Sequence, residues 1–521
     1  MMIREKIKNL ISKVPVVAKA MAGKDFTVEI PEEKTYGDYA TNVALVLAGE
    51  LKKNPMEIAG QIKAKIDSNL FEKIEVAKPG FINFFLKPEF LHKEVGEILK
   101  QKEKFGGINI GKNKKVQVEF ISANPTGPLT VANARGGPMG DVLANVLEKA
   151  GYKAEKEFYV NDSGNQILIL GHSVLKDKQA QYKGDYINKL SKRVKEKNPY
   201  KAGQKAAKII INEMIKKTVD KMGIKYNNWF FESELRKSGK TDKVLDFLKR
   251  KKLLYEEEGA AWFKSSKLGD NRDRVLIKED GEKTYLAGDI AYHYNKFKER
   301  KFDKVINIWG ADHHGDMLGL QAGIEAIGCK GKLDIILHQF ITILKKGKKI
   351  RMSKRKGVFT TIDELITEVS SDVVRFFFLM YSANSHMNFD LDLAREKSEK
   401  NPVYYVQYAH ARICSILKKA PKYEIRNTRY ELLSHPSELE LIKELIKLPE
   451  IIEDTTKDYQ IQRLPNYAIN LATVFHKFYD KCRVLGEGKD LEKARLALIC
   501  ATKTVLKNTL DLMGIDALKK M

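Results

Sequence analysis

Hydrophobic and polar positions divide the chain into three stretches with different rhythms. Up to about residue 112, helical and strand-like spacings alternate. The opening segment MMIREKIKNLISKVPVV reads as an amphipathic helix, and Ala40 to Leu51 carries Ala, Val and Leu at helical spacing. Lys78-Pro79-Gly80 reads as a turn, and Phe81 to Leu86 as the strand that follows. Gly106, Gly107 and Gly111 with a short basic run read as a linker. Next, Val116, Val118 and Phe120 alternate with Gln117 and Glu119, which predicts a strand. That strand stops at the turn Asn124-Pro125-Thr126-Gly127-Pro128. A helix is expected from about Ala134 to Ala150, with Val142, Leu143, Val146 and Leu147 on its apolar face and Gly151 as its C-cap. Strand, Gly/Pro turn and helix is the order in which an open parallel α/β sheet presents a phosphate site.

Residues from about 171 to 275 are charged, lysine-rich and mostly helical in pattern, as an insertion between two halves of that sheet would be. Val305 to Gly310 predicts another buried strand. From about 396 onwards the period is helical almost throughout, for example at Ile442, Leu445, Ile446, Ala497, Leu498, Ala501 and Val505. That stretch predicts a separate helical bundle. The expected domains are 1–112, 113–395 with an insertion at about 171–275, and 396–521.

Composition adds limits. No apolar run approaches the ~20 residues that span a bilayer, and the N-terminus lacks the h-region of a secretion signal. Four cysteines, none in a CxxC pair, suggest neither a disulfide framework nor a zinc ribbon, and fit a reducing cytoplasm. The formal charge of +25 attracts polyanions, although a generally lysine-rich surface produces the same number.

Four constellations carry chemistry. Asn124 to Gly137 is a tight turn feeding a helix start, where backbone N–H groups favour an anion; Thr130 and Asn133 add side chains, and an ordinary capped helix start accounts for the same residues. Among residues 345–356, eight of twelve are Lys or Arg, with Gly347 inside and Gly357 just beyond. Such a loop can clamp a triphosphate or form a solvated basic surface. Asp312, His313 and His314 follow the strand that ends at Gly310, where α/β sheets bind ligands; a resident metal site is not expected from adjacent histidines alone. Tyr285 and Asp289, four apart at a predicted helix start, can face one pocket.

In this order the blocks resemble a class I aminoacyl-tRNA synthetase, specifically the arginyl-tRNA synthetase family. Arg351-Met352-Ser353-Lys354-Arg355 resembles its KMSKS loop, and Asn124 to Gly137 the segment holding its HIGH motif. Phe158 to Gln166, Tyr285 to His293, Asn401 to Arg412, Met513 to Met521 and Lys78 to Leu86 are similar to blocks of the arginine enzyme. The resemblance implies a Rossmann-type α/β catalytic domain with an inserted helical segment, an α+β N-terminal added domain and an all-α C-terminal anticodon-binding bundle. It implies ligation of L-arginine to the 3′ end of tRNA(Arg) through arginyl-adenylate, with ATP and accompanying Mg²⁺, usually with tRNA bound before activation. Arginine would meet Glu119, Ser122, Asn124, Tyr285 and Asp289, with Ser122 and Asn124 orienting its amino and carboxylate groups. ATP would meet Pro128, Thr130, Asn133, Gly136, His313, Met352, Ser353 and Lys354; Thr130, Asn133 and Lys354 would be catalytic. Phe81 and Asn83 would read the tRNA elbow, and Tyr404, Tyr408 and Arg412 the anticodon, with at least one of the two tyrosines packed into the core. A cytoplasmic monomer is the expectation.

One departure stands out. Where HIGH-type motifs place His-x-Gly-His, this chain has Thr130-Val131-Ala132-Asn133. Thr and Asn retain hydrogen-bond donors, so the phosphate contacts can survive without imidazoles. The alternative is a silent paralogue that binds tRNA and does no chemistry.

Overall fold

The computed structural model describes residues 2–20, 25–66, 70–350, 361–421 and 428–521. Its centre is a five-stranded parallel sheet: β1 (Lys115–Glu119), β2 (Lys153–Val160), β3 (Asn228–Phe231), β4 (Lys304–Gly310) and β5 (Leu333–His338), in the order β5-β4-β1-β2-β3. From β1 the chain first builds outward through β2 and β3, then returns to the other side of β1 with β4. The order therefore reverses between β1 and β4, and ligands of such sheets bind outside the strand ends at that point.

The alternation expected for β1 does not become an inside and an outside. Val116, Gln117, Val118 and Glu119 are all buried, because crossover helices cover a parallel sheet on both faces. Gln117 pays for this with an amide that has no hydrogen-bond partner. Helix α1 (Gly136–Lys149) lies against β1 so closely that a Cβ on Gly140 would fall 2.1 Å from the Phe120 ring. The helix ends as expected, with Gly151 at φ 87° just beyond it.

The stretch at 171–275 is less uniformly helical than its pattern suggests. Five hydrophobic or amphipathic helical segments precede β3, which is an edge strand of the central sheet, and a small antiparallel sheet follows at Leu254–Glu257, Ala260–Phe263 and Arg274–Ile277. The short strands carry too few residues for period 2 to stand out from surrounding lysines.

The N-terminal region is a four-stranded antiparallel sheet (Val28–Glu29, Tyr39–Thr41, Phe81–Leu86, Phe71–Ala77 in spatial order) packed on helices. The C-terminal region is a bundle that includes helices Leu448–Asp458, Arg463–Lys481 and Lys489–Met513. These two regions touch. The Arg4 guanidinium meets Asp454 at 2.5 Å and Glu453 at 3.3 Å, and Glu450 accepts from the Arg4 backbone N–H (2.9 Å) and the Tyr39 hydroxyl (3.1 Å). Burial pushes Glu450 up to about 7 despite the nearby arginine. The bundle is tied to the central α/β region by buried Arg375, which donates to the Met513 carbonyl at 2.8 Å and to Asp141 on α1 at 2.5 Å. Among the described residues, no helix is long and apolar enough to cross a membrane.

Candidate active site and anticodon-type pocket

At the end of β1 the backbone leaves the sheet through two left-handed residues, Ile121 (φ 65°) and Ser122 (φ 42°). A β-branched residue there is strained, which the surrounding structure must hold in place. The turn opens a cleft of about 730 Å³ at the switch point, lined among others by Glu119, Ser122, Asn124, Asn133, Tyr285, Asp289, His313 and His338. Helix α2 (Tyr285–Tyr294) supplies Tyr285 and Asp289 one turn apart, as their spacing predicts.

The two carboxylates expected to receive a cation differ. Glu119 is 5% exposed and already paired: its Oε2 lies 2.6 Å from the Nζ of Lys296, which is fully buried, and its Oε1 accepts from the Ser122 hydroxyl at 3.1 Å. Asp289 is half-buried, and among the described residues no hydrogen bond or ion pair reaches its carboxylate. Burial first, then the charges of Glu119, Glu232 and Asp316, push its pKa up to about 7. Ser122 also changes role. Its hydroxyl donates to Glu119 and accepts from the Tyr159 N–H at 3.1 Å, so no proton remains for a substrate carboxylate. It can still accept from an ammonium.

Thr130 and Asn133 realise the capped helix start. The Thr130 hydroxyl accepts from the Asn133 N–H at 3.2 Å and donates to the Asn133 Oδ1 at 2.6 Å. Thr130 therefore has its donor engaged, which corrects its reading as a free donor to phosphate. Asn133 is exposed, and its Nδ2 keeps both protons for a ligand. Gly136 does not face the cleft. It is buried, with the site of its Cβ 3.5 Å from the His338 ring, and His338 lines the cleft in its stead. Burial lowers His338 to about 4, so it is neutral at pH 7. Pro128 lines an adjoining pocket of about 290 Å³ together with Thr130, Asn133, Tyr182 and Tyr186. His313 is largely exposed at the opposite rim, 3.5 Å from Asp316. Met352, Ser353 and Lys354 lie outside the described residues. The segment's C-terminal flank is placed: Thr361 bridges Thr130, and the Ile362 N–H donates to the Leu129 carbonyl at 3.1 Å.

A second cavity of about 730 Å³ lies in the helical domain. Helix α3 (Pro402–Lys419) contributes Tyr408 and Arg412, and Tyr479, Arg483 and the terminal Met521 complete much of the wall. The Arg412 guanidinium sits 4.9 Å from both the Tyr408 and Tyr479 ring centroids. Tyr404 stacks on Tyr408, with interplanar angle 8°. Neither Tyr404 nor Tyr408 is core, contrary to expectation. The buried face of α3 is Val403, Val406, Gln407 and His410, and it is Tyr405 that packs inward, near Thr473 and His476. On the N-terminal sheet Phe81 is 38% exposed, whereas Asn83 is only 3% exposed between its cross-strand neighbours Ala40 and Glu75. Asn83 is thus not presented to solvent as a base-reading residue would be.

Sequence reasoning missed Lys296, Asn307, His338, Tyr479 and Met521 as site residues. Lys296 and Tyr479 carry no local motif; Met521 fell within a resembling block without a role being assigned.

Comparison with known proteins agrees with this layout. The arginyl tRNA synthetase N-terminal domain matches residues 1–86, the class I (R) tRNA synthetase catalytic domain matches 94–198 and 185–377, and the DALR anticodon-binding domain matches 406–521. An arginine–tRNA ligase from Caldanaerobacter subterraneus subsp. tengcongensis is 43% identical, with 99% of each chain covered. The arginine–tRNA ligase of Bacillus subtilis is 40% identical over 100% of this chain and 98% of its own. The Thermus thermophilus arginyl-tRNA synthetase structure, 22% identical, shares the fold with a TM-score of 0.81 over the full length of both chains. The chain belongs to the arginyl-tRNA synthetase family, the class I ligases that use ATP to charge tRNA with arginine.

Proposed function

We propose that the cleft at the β1/β4 switch point binds L-arginine with its guanidinium at Asp289. The observation that carries this reading is the unpartnered Asp289 carboxylate, held at about 7 by burial and by like charges. A planar cation with several N–H donors relieves that cost; a neutral amino acid does not. Tyr285, one helical turn away, covers the same side, and Glu119, Ser122 and Asn124 offer acceptors and an amide to the amino-acid end.

ATP lies over the Asn124–Gly137 turn. Backbone N–H groups and the Asn133 amide meet the phosphates, with His338 and His313 toward the nucleoside. Met352, Ser353 and Lys354 serve the phosphates, as the family resemblance implies, with Lys354 neutralising charge on the departing pyrophosphate. Mg²⁺ enters with ATP. An oxygen of the arginine carboxylate attacks the α-phosphorus, the bond to the bridging oxygen breaks, and pyrophosphate leaves. The terminal 2′-hydroxyl of tRNA then attacks the carbonyl carbon, and AMP leaves. Positioning and charge stabilisation supply the catalysis.

Phe81 stacks on an unpaired base at the tRNA elbow, and Tyr404, Tyr408 and Arg412 stack on anticodon bases. The enzyme works as a monomer in the cytoplasm. A binding-only paralogue draws no support: the relatives matched over their full length are arginine–tRNA ligases. The test is charging by the full chain with ATP, Mg²⁺, labelled arginine and tRNA(Arg). Arginine is expected on tRNA, lysine is not, and Asp289→Asn is expected to lose arginine. Undiminished charging by Asp289→Asn would remove the guanidinium from this carboxylate.

A further inference from the structure

Lys296 is a full positive charge inside the protein, next to the cleft but outside its lining. Its side chain has no exposed surface, which is costly unless every proton finds a partner. Each does. One points at Glu119 Oε2 (2.6 Å) and one at Asn307 Oδ1 (3.4 Å), and the ammonium lies 4.1 Å from the centroid of the Tyr292 ring. Neighbouring strands create this seat: Asn307 on β4 is the register partner of Glu119 on β1. Lys296 reaches it from the π-helical segment Asn295–Glu299 that continues α2, seven residues past Asp289.

The seat is one end of a continuous chain of bonds. Burial and Lys296 hold His293 well below its ordinary pKa, so its ring is neutral. Its Nδ1–H donates to the Asp289 carbonyl at 2.8 Å, and its Nε2 accepts from Asn307 Nδ2 at 3.0 Å. Asn307 is thereby turned with Oδ1 toward Lys296. The backbone of Asp289 and the carboxylate of Glu119, both lining the cleft, are thus linked through His293, Asn307 and Lys296.

We propose that Lys296 is a positioning residue for arginine recognition, which fixes the Glu119 carboxylate in the orientation that accepts from the substrate and leaves Asp289 as the unpaired anion of the cleft. Lys296 takes one oxygen of Glu119 and Ser122 takes the other, so the carboxylate cannot rotate. With one oxygen of Glu119 on Lys296 and one of Glu232 on Arg236 at 2.7 Å, the guanidinium is drawn to Asp289. The inference rests on the arginine cleft described above.

The test is steady-state charging by the full chain with arginine and ATP varied separately. Lys296→Met is expected to raise KM for arginine about tenfold while KM for ATP and kcat at saturating arginine move less than about threefold. A purely structural role would reduce the active fraction and leave KM for arginine alone. A KM for arginine within twofold of the parent in folded Lys296→Met overturns the inference. Lys296→Met/Glu119→Gln leaves no unpaired buried charge and covers the case in which the single variant does not fold. Because Lys296 acts through Glu119, its KM should equal that of Glu119→Gln; a further tenfold rise overturns the inference. An unaltered KM in Glu119→Gln alone fails the assignment of Glu119 to arginine, a different outcome from failure of Lys296.

Discussion

The catalytic cleft and the helical-domain pocket have similar volumes, about 730 Å³ each, and hold charge in opposite ways. In the cleft a cation, Lys296, is sealed behind the wall and a carboxylate, Asp289, faces the cavity without a partner among the described residues. In the pocket a cation, Arg412, is part of the wall, 4.9 Å from each of two tyrosine ring centroids, and among the described residues no carboxylate pairs with it. The first arrangement suits a small cationic ligand whose binding removes an electrostatic cost. The second suits a flat, electron-rich ligand attached to a polyanion, which stacks on the rings while the guanidinium meets its charge. On the proposed reading, one chain meets arginine and tRNA by complementary uses of the same groups.

The comparison breaks most visibly at Asp289. Asp289→Asn should lower kcat/KM for arginine about 10³-fold, as expected for removing the partner of a buried charge, and leave tRNA affinity unchanged. Arginine kinetics within a few-fold of the parent would end the contrast between the two cavities. Asn133→Ala should lower the rate of adenylate formation about 10²-fold with little change in KM for arginine, measured by pyrophosphate exchange with tRNA present. No change in rate would take Asn133 out of the chemistry. In the other cavity, Arg412→Ala should weaken tRNA binding about thirtyfold, since one stacked cationic contact contributes about 2 kcal/mol, without altering KM for arginine. Equal loss at both sites would mean that the variant disturbs the fold.

The smallest effect sharpens the comparison through pH. Asp289 must be ionised to attract the guanidinium, and in the free enzyme it takes up a proton as pH falls through about 7. KM for arginine should therefore rise about tenfold from pH 8 to pH 6. The sign for stability is opposite to the usual carboxylate case. The folded pKa lies above the ordinary aspartate value of 3.8, so the ligand-free fold loses stability as pH rises from there through about 7. Asp289→Asn should then stabilise the free protein at pH 8 by about 2 kcal/mol, read by thermal unfolding, once the group's partial exposure is allowed for. Burial holds His476 and His410 of the helical domain below their ordinary pKa, so any inflection in tRNA binding from them should fall at lower pH than that of arginine binding. A shared inflection would mean that the two sites titrate together.

Much of this was legible in the residues. The break at Asn124–Pro128, the helix that ends at Gly151, the Tyr285/Asp289 pair and the helical C-terminal region follow from turn chemistry and period, which act over a few residues. The resembling blocks then named the family. What the sequence did not show shares a cause. Glu119 was visible only as an acceptor, because its cation, Lys296, lies 177 residues away. Thr130 looked like a phosphate donor because donor type is visible in a sequence, whereas the use of its proton by Asn133 is a matter of geometry. At least one of Tyr404 and Tyr408 was expected inside because aromatics at helical spacing usually are; the orientation of α3 placed Val403, Val406 and Gln407 inward and left the tyrosine face half open.

By itself, then, the sequence determined which local elements form and which reaction the chain belongs to, because turns, caps and motif blocks are short-range. Only the tertiary structure decided which charges are spent and which remain available. Parallel β1 and β4 set Glu119 beside Asn307, and α2 drops Lys296 onto both, while Asp289 receives no partner. Electrostatics inside a protein depends on distance and burial, neither of which follows from position along a chain.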